Sequence, residues 1–75
     1  MSRIPSLTAV KIIRALKKVG FVEDRQKGSH LILINPKIKA RTIVPVHAGK
    51  TVRKSLVHTI IDDAKLTVEE FIKLL

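Results

Sequence analysis

The chain has 75 residues, 45% of them apolar, with fifteen Lys and Arg against six Asp and Glu, a net charge of +9, and no cysteine. A chain this short makes one small domain, read here as residues 1–75, that buries only about 60% of the surface its unfolded form exposes, so a partner would support it. The composition excludes disorder, a disulfide framework and a thiolate metal site, and no apolar run nears the roughly 18 residues of a membrane helix. The opening "MSRIPSL" has no secretory apolar region, so a cytoplasmic protein is expected. The positive excess attracts polyanions, of which nucleic acid is the commonest in a cytosol. A membrane surface fits less well, because no helix pairs a basic face with Trp or Phe.

In chain order, Thr8 is placed to cap a first helix. Ala9, Ile12, Ile13, Leu16 and Val19 then fall on one face, and Lys11, Arg14, Lys17 and Lys18 on the other, the 3.6-residue period of an amphipathic helix. Gly20 follows as a residue free to close the helix in the left-handed region. Residues 21–26 read as a polar edge strand. Lys27 and Gly28 make a tight turn, with Gly28 supplying positive φ. Residues 29–35, "SHLILIN", form a central strand. Period two puts His30, Ile32 and Ile34 on one face and Ser29, Leu31 and Leu33 on the other. Residues 36–40 are a loop and 41–46 a third strand, with Pro45 at an edge or near the strand's end.

The stretch "HAGKTVRKS" is a basic connection carrying His47, Lys50, Arg53 and Lys54. A second helix spans residues 55–64 on an apolar stripe of Val57, Ile60, Ile61 and Ala64. Thr67 and Glu70 then form a capping box for a short last helix holding Phe71, Leu74 and Leu75. The order is α-β-β-β-α with a terminal helical turn, an α+β architecture with a three-stranded antiparallel sheet and both main helices on one sheet face. The second apolar face of the central strand leaves three alternatives open: a homodimer, a protein partner, or the last helix folding over it.

Read alone, His30 at a strand start fits a half-buried structural residue as well as a catalytic group. The order "LKKVGF", "RQKGSH", "RTIVPVHAGK" and "IIDDAKLTVEEF" resembles the HicA toxins of prokaryotic HicA–HicB toxin–antitoxin modules, from about Leu7 to Phe71. The resemblance implies a fold like the double-stranded RNA-binding domain. It implies an mRNA interferase, an endoribonuclease that needs no metal or organic cofactor and is neutralised by a HicB antitoxin. The family's essential histidine falls on His30, and the Gly and Ser before it on Gly28 and Ser29. Relatives commonly carry Gly where Lys65 stands, and basic or neutral residues where Asp62 and Asp63 stand.

Metal-free RNA cleavage uses the 2′-hydroxyl as nucleophile, a base and an acid to move protons, and cations to steady the phosphate. Histidine suits the proton work because its side chain titrates near pH 6.5, with both forms available close to neutrality. His30 takes that role. His47 is a candidate second acid–base group, a binding residue or a structural one. Gly28 and Ser29 support the turn, and Arg25 and Lys27 are placed to hold phosphate. Lys50, Arg53 and Lys54 cluster where double-stranded RNA-binding domains grip phosphate. Lys11, Arg14, Lys17 and Lys18 either track RNA or form a solvated helix face. His58 lies off its helix's stripe and reads as a surface residue. The three histidines lack metal-ligand spacing. Phe21 and Phe71 both sit on apolar patterns, so base stacking is not the mode of recognition. A non-catalytic RNA-binding-like module, or a partner subunit with a structural His30, accounts for the charge and fold equally well. It leaves Gly-Ser-His at the start of a hydrophobic strand without a reason.

Overall fold

A computed structural model describes residues 4–75. The elements are β1 (Leu7–Thr8), α1 (Ala9–Lys18), β2 (Val22–Lys27), β3 (His30–Asn35), β4 (Ala40–Pro45), β5 (Thr51–Val52), α2 (Lys54–Asp63) and α3 (Val68–Ile72). At the start of α1 the Thr8 hydroxyl accepts the Lys11 N–H at 3.4 Å, satisfying one of the helix's free donors. Ala9, Ile12, Ala15 and Leu16 are buried on its inner face. Gly20 closes the helix at φ +104, and a Cβ there would approach the Asn35 side-chain nitrogen to 3.2 Å. Conformation and space both favour glycine at this point, and Phe21 then turns into the core.

β2, β3 and β4 form an antiparallel sheet with β3 in the centre. The hairpin loop is Gly28 and Ser29, one residue later than the sequence reading, because Lys27 still pairs with His30. Gly28 has φ +56 and Ser29 is not among the positive-φ residues, the pattern of a type II′ turn with Gly first. Pro45 ends edge strand β4, where its missing N–H costs no ladder bond.

α1 and α2 pack on the sheet face that carries Leu31, Leu33 and Val44. Each fully buried Leu, Ile or Phe in such a core contributes about 1.5–3 kcal/mol. Two polar ties fix the layers. The buried Asn35 side chain donates to the Val19 carbonyl at 3.0 Å and accepts the Lys37 N–H at 3.2 Å. The buried Thr42 hydroxyl donates to Asp63 at 3.1 Å. α3 carries the expected capping box between Thr67 and Glu70. It packs on α2 and sends Phe71 into the core, so the last helix thickens the helical layer and leaves the other sheet face open.

These ties also set direction. Asn35 holds the end of α1, and Asp63 and Lys65 hold the end of α2 beside Thr42 and Ile38. Both helices therefore begin at the sheet end where His30 pairs with Pro45. Between these beginnings lies a ladder the sequence reading did not contain: β1 pairs with β5, Leu7 against Val52 and Thr8 against Thr51. The architecture is the α-β-β-β-α arrangement of the double-stranded RNA-binding domain, with α3 and the β1–β5 ladder added.

Candidate functional site

The open sheet face is defined by the ladder register. Directly paired residues of antiparallel strands share a face. One row is Lys27–His30–Pro45, the next Arg25–Ile32–Ile43, and the third Val22–Ile34–Arg41. A β-bulge between Glu23 and Arg25 takes up Asp24 as an extra residue. Val22 and Arg25, three apart in sequence, thereby fall on one face, and Glu23 turns to the helical side. There Glu23 meets Lys17 at 2.6 Å.

His30 is exposed at the start of β3. Gly28 and Ser29 position it: the hairpin loop ends immediately before it, and Ser29's carbonyl accepts the Val46 N–H at 2.6 Å. Ser29 is half-buried and belongs to the opposite alternation. Lys27 stands directly across from His30, with Cβ atoms about 5 Å apart by ladder geometry, and Arg25 lies on the diagonal at roughly 7–8 Å. Arg41, which the sequence reading did not single out, is exposed two rows along the same face. Asp24 brings a carboxylate to the border of these rows, 3.6 Å from Arg25. Ile32 is 5% exposed in the middle of the face, while Val22 and Ile43 are 50% and 39% exposed. The face is thus an apolar centre with Lys27 and Arg25 along its β2 edge, Arg41 at the far end of β4 and an imidazole at the opposite end.

His47 follows β4 at that same end, in a turn closed by the Lys50 N–H donating to the His47 carbonyl at 3.1 Å. Lys50 leads into β5, Arg53 is the N-cap of α2, and Lys54 its first residue. Arg53 makes no side-chain cap and the first turn of α2 holds no acid, so its free N–H groups and positive dipole end face outward with the cations. Lys11, Arg14 and Lys18 lie elsewhere, on the outer side of α1 in the helical layer. Among the described residues, no three His, Cys, Asp or Glu side chains gather as a metal cluster, and no helix is long and apolar enough to cross a membrane. His58 is exposed on α2, off the buried Val57, Ile60 and Ile61 stripe.

Chemically, the His30 end can exchange a proton while neighbouring cations hold an anion. Arg41 escaped notice in the sequence because its place depends on strand register; "RTIVPV" read at period two and paired with β3 would have found it.

A basic α+β domain with an exposed imidazole on a cationic sheet face is the class that fold and site define together. The model of the family described as HicA toxin of bacterial toxin-antitoxin matches residues 10–66. That is most of the chain, and the protein belongs to this HicA toxin family. No curated protein matches the chain.

Proposed function

We propose that this HicA-family toxin is a metal-independent endoribonuclease that cuts mRNA at the open sheet face. The observation that carries the reading is His30, solvent-exposed beside Lys27 and Arg25, with Arg41 two rows further along a face from which Glu23 has been turned away. A structural histidine would be expected among packed neighbours with a backbone partner; His30 is exposed, and among the described residues its imidazole makes no hydrogen bond. In the reaction, His30 takes the 2′-hydroxyl proton or protonates the departing 5′-oxygen. Lys27 and Arg25 stabilise charge on the phosphorus oxygens. Arg41 holds the strand further along, and Lys50, Arg53 and Lys54 hold it at the His30 end. His47 is the candidate for the complementary proton transfer. The bond formed is 2′-oxygen to phosphorus and the bond broken is phosphorus to 5′-oxygen, leaving a 2′,3′-cyclic phosphate. A HicB antitoxin neutralises the toxin by covering this face with an acidic surface, in a complex that weakens with salt.

The test is incubation of wild-type and His30→Ala protein with a long single-stranded RNA in EDTA. The wild type should cut and leave cyclic phosphate ends; His30→Ala should lose at least about 100-fold, the scale of general acid–base catalysis, while still retaining RNA on a native gel. Retention without cleavage by the wild type would make the chain a non-catalytic binding module, and 5′-phosphate ends would refute the 2′-hydroxyl mechanism.

A further inference from the structure

The helical side of the molecule carries a second surface that the His30 face does not use. Lys11, Arg14 and Lys18 form a ridge along α1, at the i, i+3 and i+7 spacing that lines up on one helix face. A cleft of about 300 Å³ runs beside it, bordered by Pro5, Leu7, Leu74 and Leu75. On the ridge's other flank Arg14 and Lys17 border a shallower hollow with Val10 and Ile13. Val10 is 60% and Leu75 46% exposed. Lys18 is fixed in place by donating to the Leu74 carbonyl at 2.7 Å, and Glu23, the acid at this surface, is already engaged by Lys17.

We infer that this groove docks an acidic amphipathic helix of a protein partner. The cations require an anionic occupant, and the apolar flanks require one that brings side chains to bury. A helix lays apolar residues at i, i+3, i+4 and i+7 into such a channel while its carboxylates meet the ridge. A nucleic-acid strand supplies the charge but no apolar side chains to cover the exposed Val10 and Leu75, and among the described residues no aromatic residue borders the cleft as a stacking platform. A second copy of this chain would set one cationic ridge against another. Strand addition is disfavoured because β1, the bordering strand, is two residues long. A partner held here leaves His30 uncovered, so docking on α1 and covering the His30 face are separable. The inference does not draw on the chemistry at His30.

The experiment uses the full 75-residue chain, labelled for amide NMR. It is titrated with a synthetic helical peptide of Glu and Leu in the i, i+3, i+4, i+7 pattern, with a scrambled peptide of equal composition, and with an oligouridylate. The patterned peptide should shift the amides of Leu7, Lys11, Arg14, Lys18 and Leu74, leave those of His30 and Arg41 in place, and bind at least tenfold tighter than the scrambled one. Lys11→Glu with Arg14→Glu, both exposed, should weaken it at least tenfold with the amide spectrum otherwise retained. Equal binding of the two peptides, shifts centred on β2–β4, no binding, or stronger shifts of the α1 amides by the oligouridylate would each overturn the proposal. None of these readouts uses RNA cleavage, so failure here and failure at His30 are told apart.

Discussion

Lys65 follows α2 at φ +61, a left-handed conformation that costs a non-glycine residue roughly 1–2 kcal/mol. The resemblance to the family implies glycine here, a residue that would take this conformation without that cost. Part of it is offset by the Lys65 ammonium, which donates to the Ile38 carbonyl at 3.0 Å. Because that bond is exposed, its loss costs less than the backbone strain relieved. Lys65→Gly should therefore stabilise the fold by about 0.5–1 kcal/mol, read as a melting temperature about 2–8 °C higher. Gly28 presents the reverse case. No atom lies within 4 Å of a Cβ built there, but φ is +56, so the conformation alone sets the penalty. Gly28→Asn should cost about 1 kcal/mol, because Asn accepts positive φ better than other side chains although the first position of a type II′ turn favours glycine over it, whereas Gly28→Val should cost more and displace His30. Equal denaturation midpoints for the two variants would refute this reading of the turn.

At the scale of elements, what was legible in the sequence was local. Thr8, the Gly20–Phe21 step, the Thr67–Glu70 box and the Val57, Ile60, Ile61 stripe each act within a turn or two of helix, and each does in the fold what its pattern implied. What was hidden needs a partner distant in sequence. β1 and β5 are two residues each and pair across 42 intervening residues, from Thr8 at 8 to Thr51 at 51, too short for any periodicity to show. The membership of Val22, Arg25 and Arg41 in one face depends on the Asp24 bulge and on ladder register. The candidate site was therefore half readable: Gly28, Ser29 and His30 are contiguous, while Arg41 joins them only through pairing. Asn35 is the other long-range device. Its amide ties the end of α1 to the β3–β4 loop while 3% exposed. Asn35→Leu should strand the part-buried Val19 carbonyl and Lys37 N–H and crowd Gly20, costing about 1 kcal/mol. Amide exchange should accelerate first at Val19 and Gly20; unchanged exchange there would show that the tie is dispensable.

At the scale of the whole molecule, the net charge of +9 is divided between two sides of a thin body, 34 × 30 × 17 Å. The helices fill one side of the sheet, so their outer cations and those around His30 cannot grip the same short stretch of a ligand. The cations of the open face also oppose one another if two copies meet face to face, which argues for a heterologous partner there. This division makes a prediction about salt. If RNA lies on the His30 face, the contacts are Arg25, Lys27, Arg41, Lys50, Arg53 and Lys54. Single-stranded binding then loses affinity with a log–log salt slope of about −4, at roughly −0.7 per phosphate contact. Arg41→Gln should make the slope shallower by about 0.7. Lys11→Gln, one layer away, should change it by much less. Measured with a binding-competent, cleavage-dead His30→Ala background, the two variants separate the faces directly. A slope that responds to Lys11 as strongly as to Arg41 would move the RNA to the helical side and leave His30 out of its path.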